Sequence, residues 1–212
     1  MKVCEVFTSI QGESTFAGLP CTFVRLSGCN LRCAYCDTQY SYEEGTEMKI
    51  EDVLLRVDSA GVRLVEITGG EPLLQGDETI SLIKKLLGNS YEVLVETNGS
   101  INIREIDKRA TVILDSKTPA SGMSGKMDFA NLEHIKNSDE VKFVLCSRND
   151  YEWSKEIVWR YRLEERCKVL FSPAFGLLPP RELAAWILDD NLRVRLNIQI
   201  HKYIFHPGER MV

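Results

Sequence analysis

The sequence predicts an α/β fold built as a partial, open (β/α) barrel. Three observations lead there. Short segments rich in β-branched residues alternate with helix-like segments almost to the end of the chain, the pattern of a parallel sheet with right-handed crossovers. The 212 residues, of which the first twenty or so are spent on a separate strand and loop, fall short of the ~250 that a complete eight-stranded barrel usually takes. The residues suited to chemistry gather just after strands, where such sheets place their sites. No linker, internal repeat or low-complexity run divides the chain, so one domain over residues 1–212 is expected, opening with a short strand and a substrate-loop segment at 1–20.

The elements follow in order. "KVCEVF" opens the chain as a strand, and "CTFVRLS" follows with Cys21, Phe23, Arg25 and Ser27 on one face. In "KIEDVLLRVDSA" the residues Ile50, Val53, Leu54 and Val57 share a helical face, and Gly61 is placed to end the helix. "VRLVEIT" is the next strand, then "DETISLIKKLLG" the next helix, with Asp77 as N-cap, Ile80, Ile83 and Leu87 as its stripe and Gly88 as terminator. "YEVLVET", "TVILD", "EVKFVLC" and "CKVLFS" read as further strands, with a longer helix after Asn149 and another opening at Pro180. "LRVRLNIQI" is expected to be the last strand, carrying His201 at its end.

Composition narrows the function classes. Lys and Arg number 26 against 31 Asp and Glu, a net charge of −5, so no basic field is offered to nucleic acid or to anionic lipid. The N-terminus alternates polar and apolar residues without the apolar region of a signal peptide, and no apolar run approaches the ~20 residues that span a bilayer. A cytoplasmic protein with neither a nucleic-acid nor a membrane partner is expected. Seven cysteines in a reducing compartment point to metal ligation, redox chemistry or plain burial. Cys4, Cys21, Cys146 and Cys167 are scattered among apolar strand residues and read as small hydrophobes.

The other three are different. "GCNLRCAYCDTQ" sets Cys29, Cys33 and Cys36 in a C-x3-C-x2-C pattern. Clustered thiolates suit zinc or iron–sulfur. A structural zinc site closes with four ligands, which here would require a distant Cys or one of His134, His201 and His206. A 4Fe-4S cluster held by three Cys instead leaves one iron open. "ITGGEP", from Ile67 to Pro72, follows the next strand. Read alone, its glycines are a strand-to-loop turn; read as a site, they let backbone approach a ligand while Glu71 accepts from an ammonium.

C-x3-C-x2-C with Tyr35 before its last Cys, followed by GGEP, resembles the radical S-adenosylmethionine superfamily. Within it, F-x-S-x-Q-G-E from Phe7, F-x-R-L-x-G-C-N-L from Phe23, C-D-T at Cys36 and the late "IQIHKYIF" closely resemble the 7-carboxy-7-deazaguanine synthases. The resemblance runs from Phe7 to about Phe205 and is weakest between Met123 and Cys167. It implies a ring contraction of 6-carboxy-5,6,7,8-tetrahydropterin with loss of ammonia, in queuosine and 7-deazapurine biosynthesis. The implied cofactors are a 4Fe-4S cluster on Cys29, Cys33 and Cys36, S-adenosylmethionine cleaved to a 5′-deoxyadenosyl radical, and Mg²⁺. The implied partners are a flavodoxin or ferredoxin as electron donor and a second copy of the chain.

Residue by residue, the resemblance implies substrate contacts at Ile10, Gln11, Gly12, Glu13, Arg25, Thr68 and His201. It implies S-adenosylmethionine contacts at Tyr35, Gly70, Glu71, Asn98, Ser116, Lys117 and Ser172, and Mg²⁺ on Thr38. Physical chemistry gives several of these a rationale. A pterin presents an edge of alternating donors and acceptors, which Gln11 and Glu13 complement, although "QGES" is also a plain polar turn. The substrate carboxylate needs a cation, and Arg25 lies on the strand face that would line the barrel. A neutral hydroxyl is a poor sole ligand for Mg²⁺, which keeps waters and adds substrate oxygens; the resemblance alone makes Thr38 its one protein ligand, and "DTQ" by itself reads as a helix cap or turn. Asn98 stands in "NG", itself a turn signal. His134 sits in an amphipathic stretch and reads as helix surface. One departure is Ser14, where the family shows Gly after Q-G-E; its side chain is expected to crowd that loop.

Two other readings stand beside this one. A glycyl-radical-enzyme activase shares the cysteine pattern and compact fold but has no pterin edge to bind. A zinc-stapled interaction module would leave GGEP unexplained.

Overall fold

The computed structural model describes all 212 residues. Strand β1 (Lys2–Ile10) pairs antiparallel with β2 (Pro20–Leu26) and, on its other edge, with the two-residue β3 (Thr46–Glu47). Then come α1 (Ile50–Ala60), β4 (Leu64–Gly69), α2 (Asp77–Gly88), β5 (Glu92–Thr97) and β6 (Thr111–Asp115). Next follow α3 (Asn131–His134), β7 (Glu140–Leu145), α4 (Arg148–Arg160), α5 (Leu163–Arg166) and β8 (Lys168–Pro173). The chain finishes with α6 (Pro180–Asp189), β9 (Arg195–Leu196) and α7 (His201–Ile204). All nine strands form one sheet in the order β3-β1-β2-β4-β5-β6-β7-β8-β9, parallel from β2 onward and not closed between its ends. This is the open barrel that the alternation implied. No helix is long and apolar enough to cross a membrane.

Side-chain alternation gives the sheet two distinct faces. One face carries Val24, Leu26, Val65, Ile67, Val93, Val95, Val112, Leu114, Val141, Phe143, Val169 and Phe171 into the main core. Helices complete that core with Val53 and Val57 of α1, Leu82, Ile83 and Leu86 of α2, and Leu183 and Ile187 of α6. The opposite face lines the lumen. Its floor is a small apolar cluster of Cys21, Phe23, Leu64, Leu94 and Ile113, covered by Phe7 and Phe16. Above this floor the same face turns polar.

Local signals mostly acted as expected. Gly61 caps α1 with φ 68°, and Pro180 occupies the first turn of α6. Ser147 caps α4, its hydroxyl accepting from the Asp150 N–H. Three expectations need correction. The cap of α2 is Gly76, at φ 50°, and Asp77 is its first helical residue with no capping bond; its charge still complements the helix dipole. Gly88 closes the helix as its last residue, and Asn89 is the C-cap. "LRVRLNIQI" forms a strand only at Arg195–Leu196. Beyond it the polar groups leave the ladder: the Asn197 amide donates to the Ser172 hydroxyl (2.8 Å), and the Ile200 N–H donates to the Gly12 carbonyl (2.9 Å). His201 therefore opens α7 instead of ending a strand.

Candidate active site

The cysteine loop leaves the carboxyl end of β2. Cys29, Cys33 and Cys36 are all partly exposed and unpaired. Cys29 Sγ accepts from the Leu31 N–H (3.4 Å) and lies 3.8 Å from Asn98 Nδ2. Burial pushes the Cys29 and Cys33 thiols upward, and Cys33 also feels Cys36 and Cys29. No three Cys, His, Asp or Glu side chains converge on one point closely enough to hold a single metal ion. A cubane cluster takes each thiolate at a separate corner, and N–H groups aimed at sulfur are what such a cluster uses. Beside the loop, three buried oxygens have no protein partner: Tyr35 Oη, Asp115 Oδ1 and Ser116 Oγ. Orphaned polar atoms are costly unless something satisfies them, so these residues fit a polar cofactor lying against the cluster.

The GGEP loop packs directly on the cysteine loop. Gly69 has φ 152°, and a side chain there would strike the Leu26 backbone. A Cβ on Gly70 would collide with the Gly28 carbonyl and the Cys29 side chain. The missing side chains thus serve first to bring two loops together. Glu71 follows the two glycines. Its carboxylate is enclosed and accepts from the Thr97 hydroxyl (2.8 Å), the Asn98 N–H (2.7 Å) and the Leu73 N–H (3.0 Å). Burial raises it to about 7 against these lowering bonds, and it stitches the end of β4 to the end of β5. The Asn98 side-chain amide donates to Asn30 Oδ1 (3.1 Å) and accepts from Ser100, turning to the cysteine loop.

Lys117 pairs with Asp115 (2.7 Å), whose charge outweighs burial to raise it. Ser116 is buried at the end of β6. Ser172, at the end of β8, is committed to Asn197. Thr38 is half-buried and caps a single 3-10 turn, its hydroxyl 3.3 Å from Asp37 Oδ1. Asp37 pairs with Lys202 of α7.

The polar half of the lumen collects the expected substrate residues. From the end of β1, Gln11 donates to Glu66 and accepts from the Glu13 N–H (2.8 Å). Glu13 pairs with Lys142 (2.9 Å) and accepts from Gln199 (2.7 Å). Burial would raise its carboxyl, but Lys142 and Gln199 prevail and hold it at about 2. Gly12 faces the His201 ring so closely that no side chain would fit. Burial lowers His201, leaving a neutral imidazole at neutral pH. Ile10 ends β1 against Pro20. Arg25 lies beside Thr68 on β4 and donates to Glu5 through Nε alone (3.1 Å), with its guanidinium over Phe7. Ser14 adopts φ 62°, the conformation for which the family uses glycine, and its hydroxyl accepts from the Phe16 N–H (3.1 Å). It is strained but does not crowd the loop.

Four lumen residues went unread in the sequence: Glu66, Glu96, Asp115 and Lys142. Glu66 neighbours Phe23 on β2, and Asp115 neighbours Lys142 across β6 and β7. Lys142 pairs with Glu96 as well as Glu13, and Glu96 accepts from the Thr68 hydroxyl (3.2 Å). The signal was present. Central parallel strands are covered on both faces and read as continuous apolar runs, so a charge inside "LVEIT", "VLVET" or "EVKFV" marks a polar interior.

Comparison with known proteins follows this geometry. The model of the radical SAM superfamily matches residues 23–122. A 7-carboxy-7-deazaguanine synthase of Koribacter versatilis is 41% identical over 226 aligned positions, covering 100% of both chains. One from Chlorobaculum tepidum is 43% identical, covering 100% of this chain and 97% of the other. The crystal structure of QueE from Escherichia coli superposes with a TM-score of 0.78 at 24% identity, over 93% of each chain.

Proposed function

Because the chain belongs to the 7-carboxy-7-deazaguanine synthases of the radical SAM superfamily, we propose that its lumen binds a carboxylated pterin against the cysteine loop. The protein is a radical SAM enzyme, and its product is 7-carboxy-7-deazaguanine. The observation that supports the proposal is continuity: Lys117, Asp115, Lys142 and Glu13 form an unbroken chain of close charges running from the end of β6 into the lumen.

Cys29, Cys33 and Cys36 hold the 4Fe-4S cluster, with S-adenosylmethionine against Tyr35, Gly70, Ser116 and Lys117. When bound, the cluster and S-adenosylmethionine supply the radical that removes one hydrogen atom from the substrate. The chain's own residues do the rest. Gln11 and Glu13 read the pterin's donor edge, Arg25 offers its unbonded terminal nitrogens to the substrate carboxylate, and neutral His201 closes over Gly12. Ile10 and Thr68 complete the walls, and Ser172, bonded to Asn197, is assigned to the cofactor side by the family likeness. Thr38 would supply the protein ligand to a Mg²⁺ ion, a cation that keeps waters and takes up substrate oxygens. The whole chain acts as one catalytic unit in the cytoplasm, pairs with a second copy and draws electrons from a flavodoxin or ferredoxin.

The test is an anaerobic assay with loaded enzyme, reductant, S-adenosylmethionine, Mg²⁺ and 6-carboxytetrahydropterin, read by mass spectrometry. 7-carboxy-7-deazaguanine is expected. 5′-Deoxyadenosine without it would keep the radical machinery and overturn the substrate. In the same assay Thr38→Ala is expected to retain its iron and lose most of its response to Mg²⁺; a response equal to wild type would misplace the metal.

A further inference from the structure

We propose that Lys142 is a positioning residue for substrate recognition, its ammonium holding Glu13 and Glu96 apart at a set spacing as paired acceptors for the N–H edge of the pterin. This rests on the functional reading above.

Lys142 is anomalous where it stands. Its strand neighbours Val141 and Phe143 are fully buried in the main core, and a leucine would serve a packed lumen better, since buried ion pairs seldom outperform apolar side chains in stability. Carboxylates from three separate elements nevertheless converge on its ammonium: Glu13 at 2.9 Å from the loop after β1, Glu96 from β5, and Asp115 at 3.7 Å from β6. Each is held by a second partner as well. Glu13 Oε1 accepts from Gln199 (2.7 Å), Glu96 Oε2 from the Thr68 hydroxyl (3.2 Å), and Asp115 Oδ2 from Lys117 (2.7 Å). The network is over-determined at every corner but the one facing the open lumen.

Exposure shows which groups a ligand meets. The Lys142 side chain is 5% exposed, against 21% for Glu13 and 26% for Glu96. The ammonium lies beneath, and the two carboxylates form the accessible rim. A rim of two acceptors suits a planar ligand edge rich in N–H donors, the chemistry of a guanidine or a 2-aminopyrimidinone. Lys142 has no capacity left for an incoming carboxylate, whereas Arg25 engages the protein through one nitrogen only. The cation that organises and the cation that receives are thus different residues. Without Lys142 the neighbouring carboxylates repel, and one takes up a proton, replacing an acceptor with a donor.

The experiment compares cluster-loaded wild type with Lys142→Met and Lys142→Arg. Iron content and S-adenosylmethionine affinity report on integrity. The dissociation constant of 6-carboxytetrahydropterin and the separate KM and kcat report on positioning. Lys142→Met is expected to weaken pterin binding by roughly 10-fold or more, the scale of one charge-assisted hydrogen bond, with KM affected more than kcat. Lys142→Arg keeps the charge, so it guards against failure of the Met variant to fold. Its broader planar head is expected to displace the carboxylates and weaken binding several-fold. Wild-type affinity in both variants would overturn the inference alone. A wild type that does not bind the pterin at all would overturn the functional reading and this inference with it.

Discussion

Glu66 illustrates how one lumen side chain couples chemistry to stability. It is nearly fully buried, bonded to the Gln11 amide, and set among Glu96, Lys142, Glu13 and Arg25. Burial first, and the charge of Glu96 second, push its carboxyl well above the usual range. The folded state therefore keeps its proton at pH values where the unfolded chain has lost it. Stability from this residue is intact below the ordinary carboxyl range and declines as pH rises toward the raised value. Glu66→Gln removes the titration while keeping an acceptor for Gln11. The variant is expected to match wild type near the ordinary carboxyl value of 4.5 and to gain on it in Tm as the pH rises; a Tm difference that does not change with pH would refute the buried neutral acid. Ser14 makes the opposite point about local sequence signals. Its left-handed backbone costs about 1 kcal/mol relative to glycine, and its hydroxyl's bond to Phe16 offsets a similar amount, so a family glycine could become serine without loss of the loop.

Among the elements, β7 carries both faces of the barrel in consecutive residues: Lys142 enters the lumen and Phe143 enters the core. Phe143 is fully buried, edge-on to Trp153 of α4 (6.5 Å) and to Phe171 of β8 (5.6 Å). Phe143→Ala is expected to cost about 3–5 kcal/mol in chemical unfolding, and a loss under about 1 kcal/mol would mean the core collapses around the gap. The same alternation explains what was legible beforehand. Apolar period-two segments and Gly or Pro punctuation located β1, β2 and β4 to β8 to within a few residues. Glu66, Glu96 and Lys142 were masked by that very success, because a strand assigned from its apolar residues draws attention from its charged ones. β9 was overextended for a different reason: its residues have strand propensity, but their hydrogen-bonding groups are claimed by Ser172 and Gly12. Loop contacts were least legible of all. Gly70 was read as room for a ligand, yet its nearest neighbours are Gly28 and Cys29. Gly70→Ala should therefore lower iron per chain after reconstitution, and normal iron with impaired S-adenosylmethionine binding would show that the glycine serves the ligand alone.

At the scale of the whole molecule, the open barrel is closed by the two ends of the chain instead of by strands. The loop after β1 crosses the gap, its Thr15 N–H and hydroxyl bonding Glu140 while Glu13 meets Lys142, both on β7. The C-terminal segment lies over that loop, through Gln199 to Glu13, Ile200 to Gly12 and Lys202 to Asp37. Nothing in strand periodicity foretells such a closure, since it depends on side chains some 190 positions apart, as in the Gln199–Glu13 bond at a separation of 186. Its last clasp is Arg210, which donates to Glu5 Oε1 (3.0 Å) and Glu44 (2.9 Å) with its guanidinium 3.7 Å from the centre of the Tyr40 ring. Glu5 is the residue that also holds Arg25 and the Tyr40 hydroxyl, both through Oε2. Arg210 thus occupies one oxygen and leaves Arg25 only the other. Removing it in Arg210→Ala frees both Glu5 oxygens for Arg25, so the carboxylate of Glu5 would compete with that of the substrate for the same guanidinium. The expected result is a several-fold higher KM for the pterin, of the size of one charge-assisted contact, with kcat and iron content near wild type. An unchanged KM would show that the C-terminal segment covers the lumen without tuning Arg25, and a fall in iron content would show that it supports the cysteine loop instead.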